Sequence, residues 1–345
     1  MTTLALHDVA PSDWHALSLQ FRDLTFEQTR SYCEHAASRI GGKARFVAVR
    51  DGSDFIALAA LRQRSMPGLR RGIIWLPAGP LIRRTDRAEP TDAEIIAVLA
   101  ALRQHLVGVE GNILRLRFSV LGQLAQDRAG RLAEAAGFAR THRAAPYKSY
   151  VLDTRVAEEE SMARLNGKWR GHLRNAFRAG LSVESAADAT LSGRFDRVMA
   201  SVQEAKGFAA TITPAFHRRC QGEGYTLETF VVSREGRDLS AGMIVVTGNN
   251  ANYLFGATNA EGRDHRSGYQ LTWSIMMRCG ELGVHWLDLG GVDNDLTPEL
   301  TLYKERTGAT YSEGAGPFEA TPGGLFPRAV NALEDLRGRM RGGKG

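Results

Sequence analysis

Of the 44 cationic side chains in this chain only six are lysines, which leaves 38 arginines. A lysine inside a patterned segment has therefore resisted a strong drift toward arginine. Lys304, in Tyr303-Lys304-Glu305-Arg306, is one. Its ammonium is a compact charge on a flexible stem, able to sit beside a developing oxyanion where a forked guanidinium does not fit; the plain alternative is a surface lysine paired with Glu299 or Glu305. Upstream, Leu287-Asp288-Leu289-Gly290-Gly291 reads as a strand running into two glycines. Such a strand end lets backbone N–H groups approach an anionic ligand, although a tight turn capped by Asp288 has the same pattern. Asp293 and Asp295 follow, carboxylates of a type that serve as bases or lie solvated in loops. Between Met162 and Gly180, Arg164, Lys168, Arg170, His172, Arg174 and Arg178 supply about one cation per turn. Like charges so spaced repel by a few tenths of a kcal/mol per pair, and the nearby acids, Glu158 to Glu160, all lie at one end. A phosphate or RNA partner is the expectation, against a merely solvated face.

Other chemistries find no support. The nine histidines show no HxxxH or HExxH spacing, no GxSxG or Walker loop occurs, and Cys33, Cys220 and Cys279 stand far apart, as buried thiols do. No metal is expected. A coenzyme A site would want Gln/Arg-x-x-Gly-x-Gly/Ala at a helix N-terminus. Arg263-Asp264-His265-Arg266-Ser267-Gly268-Tyr269-Gln270 has the cations and one glycine, but reads as lacking the spacing. The net charge of +6 permits a polyanionic partner without requiring one. No apolar run is long enough to cross a bilayer, and MTTLALHDVAPSDW lacks the regions of a signal peptide, so a cytoplasmic location is expected.

These residues need elements to position them, and 345 residues, 43% hydrophobic, suffice for two cores. The pattern predicts a helix over 25–40, a hairpin of 46–50 and 55–61 about Asp51-Gly52-Ser53, and a strand over 73–76 entering Pro77-Ala78-Gly79-Pro80. A helix over 92–106 with Thr91 as N-cap, a strand over 113–118 and a helix over 124–136 complete the first half. The order then repeats: a strand at 150–152, a basic helix over 158–179, a helix over 195–206, a meander of 229–234, 239–247 and 251–257, a helix over 269–280 and a strand over 286–289. An amphipathic helix over 328–340 closes the chain. The repetition predicts two related α/β (α+β) domains with mixed sheets, over 1–149 and 150–345, the second carrying the basic and C-terminal helices.

Four stretches in order carry a resemblance: Lys168-Trp169-Arg170-Gly171-His172-Leu173-Arg174-Asn175-Ala176; Tyr253-Leu254-Phe255-Gly256-Ala257; Leu271-Thr272-Trp273 leading to Leu287-Asp288-Leu289-Gly290-Gly291; and Tyr303-Lys304-Glu305-Arg306-Thr307-Gly308. Together they resemble the Fem family of aminoacyl-tRNA-dependent peptidyltransferases, built of two tandem acetyltransferase-like (GNAT) domains. Fainter similarity runs upstream through Pro77 to Ile82 and Arg117 to Gly137. The resemblance implies transfer of an amino acid from tRNA to an amine of a peptide or peptidoglycan-precursor-like acceptor, with no cofactor. Lys304 is then the catalytic candidate. Lys168, Arg170, Arg174, Tyr253, Arg117, Ser119, Asp288, Gly290, Gly291 and Tyr303 are candidates for holding tRNA or substrate.

Two departures bear on the acceptor. The family's first helix often carries an aromatic residue and, four positions on, a lysine, where this chain has Tyr32 and Ala36; its Arg-Ile-Asp-Pro segment reads Arg117-Phe118-Ser119-Val120 here. With that cation and that carboxylate missing, an acceptor without a diphosphate is expected. The long helical hairpin that some members insert is also absent. Two other readings stay open: an acyl-CoA-dependent N-acyltransferase, and a noncatalytic protein that binds RNA or a precursor.

Overall fold

A computed structural model describes residues 4–206, 212–293 and 295–342, so Lys344 lies outside the described residues. The chain is mixed α/β and divides into two units, Met1–Asp23 with Cys33–Pro146 and Gly314–Gly345, and Leu24–Tyr32 with Tyr147–Glu313. The passage at Pro146 to Tyr147 lies close to the division expected at 149/150. Two stretches depart from that division.

The C-terminal part returns to the first unit rather than staying with the second. Phe318–Ala320 is a strand inserted antiparallel between Ile113–Leu116 and Ala139–Arg140. Beside it the nearly buried Arg115 guanidinium binds Glu319 at 2.5 Å and, through both terminal nitrogens, Glu334 of the closing helix Phe326–Gly342 at 2.9 and 2.7 Å. A buried cation must find its carboxylates, and these lie some 200 residues further along the chain. The second departure is Leu24–Tyr32. Its Phe26 and Tyr32 rings pack against Tyr225 and His217 of the second unit, Tyr32 stacking on Tyr225 at 6.0 Å.

In the first unit seven strands run in the order Ala5–Asp8, Lys43–Asp51, Asp54–Ser65, Gly72–Leu76, Ile113–Leu116, Phe318–Ala320, Ala139–Arg140. Among the described residues of this unit the one parallel pair is Gly72–Leu76 with Ile113–Leu116, which requires the crossover through the helix Asp92–Arg103. That helix starts where Thr91 predicts it: the Thr91 side chain accepts from Glu94 N while the Glu94 carboxylate takes the Thr91 N–H, a capping box. Ile95, Val98, Leu99 and Leu102 form its buried stripe.

The second unit repeats the plan. Its order is Thr310–Gly314, Tyr147–Asp153, Trp286–Gly291, Asn250–Thr258, Arg237–Thr247, Thr226–Arg234, Ser182–Ala186. Asn250–Thr258 and Trp286–Gly291 pair in parallel only from Asn250/Trp286 to Asn252/Asp288, after which their register ends. At the same level Met243 pairs with Phe255 but Ile244 with Tyr253, so Leu254 is bulged out of the ladder. A bulge and a parting of parallel strands at one point leave backbone groups that the sheet itself does not pair.

The basic segment is two helices, not the single helix expected over 158–179. Glu158–Arg164 ends at Leu165, whose ψ of 138° is extended, and Gly167–Arg178 begins after Asn166, whose side chain accepts from Lys168 N. Asparagine followed by glycine favours a cap over continuation. The strands Ala5–Asp8 and Ser182–Ala186 and the helix Pro214–Cys220 were not anticipated either. Cys33, Cys220 and Cys279 are buried free thiols.

Candidate active site

The strand Trp286–Gly291 ends at the parting point, and its last residues organise the second unit's polar centre. Asp288 is 2% exposed. Burial raises its pKa, while hydrogen bonds from Ser149, Gly290 N and Tyr147 and the nearby Lys304 ammonium oppose the rise. One carboxylate oxygen accepts from Ser149 Oγ and, at 2.8 Å, from Gly290 N; the other accepts from Tyr147 OH and Asn252 Nδ2, both at 2.9 Å. Four donors fill the capacity of a carboxylate. Asp288 is therefore a strut beneath the site, not the ligand contact expected of it.

The strut fixes the two glycines. Gly290 has φ +84°, and a Cβ there would stand 2.7 Å from the Tyr253 carbonyl oxygen, so both its conformation and its surroundings exclude a side chain. The Gly290 and Gly291 carbonyls both point at Lys304 Nζ, at 3.0 and 2.9 Å. Lys304 lies on the short helix Pro298–Glu305 and is 8% exposed. Burial pulls its pKa down to about 8, and Asp288 works against that pull. An ammonium carries three N–H donors. Two are used by the glycine carbonyls, and the third has no partner among the described residues.

The tyrosines of the motifs act as buttresses. Tyr303 OH donates to the Gly268 carbonyl at 2.9 Å and shares a 2.9 Å hydrogen bond with Thr272 Oγ1, which is also bonded to Tyr253 OH. Burial pushes both phenols upward. The Tyr253 ring lies across glycines: a Cβ on Gly256 would come within 2.6 Å of its hydroxyl, and one on Gly242 within 3.2 Å. This accounts for glycine in Tyr253-Leu254-Phe255-Gly256-Ala257. Asp293 is exposed, and one of its carboxylate oxygens accepts from Asp295 N and Leu296 N at 2.9 Å in the turn that precedes the helix carrying Lys304.

On Gly167–Arg178 the side chains of Trp169, Leu173 and Ala176 face the core, leaving the cations outward. Arg170 reaches back to the Met162 carbonyl at 3.4 Å and so braces the preceding helix. Lys168 and Arg174 are exposed and have no ion-pair partner among the described residues. Arg117 and Ser119 belong to the first unit. Both are buried, Arg117 following Ile113–Leu116 and Ser119 accepting from Leu121 N at 3.0 Å to cap a short helical turn. Sequence reasoning missed Tyr147, Ser149 and Asn252, since isolated polar residues in strands carry no local signal of what they touch.

Residues 164–305 match the family described as acetyltransferase (GNAT) domain, so the region from the basic helix to Lys304 is a GNAT domain. A stretch of 90 residues is 31% identical to the lipid II:glycine glycyltransferase of Staphylococcus aureus, covering 25% of this chain and 21% of that protein. The chain thus spans about a fifth of the length of the curated relatives it matches. Among solved structures, FemX superposes with a TM-score of 0.78 at 16% identity over 96% of this chain and 99% of that one. A tandem GNAT protein from the clavulanic acid biosynthesis pathway gives 0.50 at 15% identity over 93% and 99%. The two seven-stranded mixed sheets thus have the tandem GNAT fold, with residues 164–305 matching the GNAT family and a local similarity to a glycyltransferase within the chain.

Proposed function

We propose that the protein is an aminoacyltransferase that moves an amino acid from tRNA to an amine of a peptide acceptor, forming an amide. The observation that carries this reading is Lys304, a buried ammonium held by the Gly290 and Gly291 carbonyls with one N–H left to give. The aminoacyl ester is already activated. The protein therefore needs to align the amine with the ester carbon and to stabilise the negative charge that develops on the ester oxygen. The remaining Lys304 N–H serves that oxygen. The C–N bond forms as the amine attacks, and the C–O bond to the ribose breaks on collapse. The proton lost by the amine ends on the departing ribose oxygen, so the step balances with no carboxylate base, in keeping with Asp288 being occupied elsewhere. Lys168 and Arg174, exposed and without acid partners, supply attraction for the RNA backbone.

The name of the staphylococcal relative makes a peptidoglycan precursor peptide the first acceptor to try. Ala36, 5% exposed, and Ser119, 5% exposed, stand where the resemblance calls for a cation and a carboxylate. They favour an amine acceptor without a diphosphate. The test is incubation with total charged tRNA, each amino acid labelled in turn, and candidate acceptors. Transfer of one label to an acceptor, abolished by ribonuclease, supports the reading. Product formed from an acyl-CoA without RNA would favour the second reading, an N-acyltransferase, to which the GNAT match lends weight. Absence of any turnover by intact protein would favour a binding role.

A further inference from the structure

One corner of the first unit gathers three chain segments that expose aliphatic side chains. They are the turn joining Asp54–Ser65 to Gly72–Leu76, the turn after Val109, and the start of the closing helix Phe326–Gly342. Contacts on the page tie them together. Gly72 N donates to Asn112 Oδ1 at 2.9 Å, and the Arg71 guanidinium lies 4.3 Å over the Phe326 ring. The stem of Arg71 also runs beside Gly111, where a Cβ would stand 3.5 Å from Arg71 Cδ. Within two residues of this junction stand Leu69, 46% exposed, Val109, 73% exposed, and Leu325, 76% exposed. Large aliphatic side chains held in water on three neighbouring segments mark a surface that something covers.

The closing helix extends that surface. Its inward face carries the buried Pro327 and Val330 and, a turn further on, Glu334, which binds Arg115. Leu325, Ala329, Ala332, Leu333 and Leu336, spaced i, i+4, i+7, i+8 and i+11, are all exposed and form one apolar stripe on the outward face.

Charge says what covers it. Arg64, Arg70, Arg71 and Arg328 are exposed around the same junction and have no ion pair among the described residues. Arginines elsewhere in this unit, Arg83, Arg84 and Arg128, do have acids. The nearest carboxylate in sequence, Glu110, is taken by Arg45 at 2.7 Å. After Asp335 the sequence adds Arg337, Arg339, Arg341 and Lys344 and no acid at all. Two copies of such a corner repel each other, and single-stranded RNA wants exposed rings to stack on, where this corner shows leucine and valine. Aliphatic side chains bordered by unpaired arginines suit the boundary between anionic headgroups and acyl chains.

We infer that this corner docks the protein on an anionic lipid surface: Leu69, Val109 and Leu325 enter the headgroup boundary, the outward stripe of the closing helix lies along it, and Arg64, Arg70, Arg71 and Arg328 meet lipid phosphates. Docking there is independent of the transfer chemistry in the second unit.

The test is flotation of the full chain with vesicles of phosphatidylglycerol and phosphatidylcholine in equal parts, with pure phosphatidylcholine vesicles alongside. One double variant, Leu69→Ser with Leu325→Ser, removes aliphatic surface. A second, Arg70→Gln with Arg328→Gln, removes charge, and Arg197→Gln with Arg219→Gln removes the same charge from the second unit as a control. All substituted side chains are exposed, so melting should not change. Expected is salt-sensitive binding of wild type to the anionic vesicles only. The leucine pair should bind about tenfold more weakly, the arginine pair about thirtyfold more weakly at low salt with a shallower salt dependence, and the control as wild type. If wild type does not float with anionic vesicles, or if the leucine pair binds within twofold of wild type, the inference is overturned. Equal weakening by the control pair also overturns it, since net charge alone then accounts for binding. So does self-association of lipid-free wild type that the leucine pair abolishes, because a second copy is then the occupant.

Discussion

Replacing Lys304 by methionine keeps an unbranched side chain, shorter by the terminal nitrogen, and removes its charge. In the folded protein the ammonium has its pKa lowered to about 8, so at pH 7 it outnumbers the neutral amine about tenfold and is the form that meets substrate. Two of its donors are committed to the Gly290 and Gly291 carbonyls, which leaves one directed hydrogen bond for the oxyanion. Loss of one such charged donor costs on the order of 3 kcal/mol of transition-state stabilisation, about a hundredfold in rate. The assay is single-turnover transfer of labelled aminoacyl groups from tRNA at saturating acceptor, followed from pH 6 to 10. Wild type should show a falling limb near pH 8 as the ammonium deprotonates, and Lys304→Met should be slow and lack that limb. The same pKa has a stability consequence. The unfolded chain binds the Lys304 proton more tightly than the native state does, so stability rises with pH between about 8 and the ordinary lysine value of 10.5 and is lost as pH falls through 8. Lys304→Met should abolish that slope. Transfer by Lys304→Met within threefold of wild type, with charged tRNA bound normally, would refute the assignment.

Asp288→Asn removes the negative charge that raises the Lys304 pKa, so the falling limb of the pH–rate profile should move to lower pH; an unmoved limb separates the two residues. Gly290→Ala should abolish transfer and lower the melting temperature, since the new Cβ meets the Tyr253 carbonyl at 2.7 Å in a left-handed backbone. In the first unit, Glu319→Ala strips one carboxylate from the nearly buried Arg115 and should cost about 3 kcal/mol in denaturant unfolding, whereas a loss under 0.5 kcal/mol would mean that Glu334 alone satisfies the guanidinium. His217, bonded through Nδ1 to Tyr225 and buried, has its pKa lowered to about 4. The native state then resists protonation, so stability should fall as pH drops from 6.5 toward 4, and His217→Gln should flatten that limb of the melting curve.

Short-range features were open to reading in the sequence. Thr91 and Glu94 start a helix through bonds spanning three residues, Asp51-Gly52-Ser53 turns a hairpin, and the glycine pair after Asp288 marks a strand end, because each rests on backbone preferences that neighbouring residues settle among themselves. The scarcity of lysine singled out Lys304 in the same way. Neither its depth nor the two carbonyls that hold it could be read there. Burial and partner choice are properties of space: Asp288 takes its four donors from positions as far apart as 147 and 290, and Arg115 finds Glu334 only because the chain after 313 returns to the first sheet. Tyr253 and Tyr303 show the same limit, since a tyrosine in a motif reads as a ligand contact until the fold brings Thr272 and Gly268 to its hydroxyl. Sequence thus determined where cations and glycines stand along the chain. Tertiary structure decided which of them are satisfied by the protein itself and which are left for a ligand, because desolvation and hydrogen-bond saturation depend on all neighbours at once.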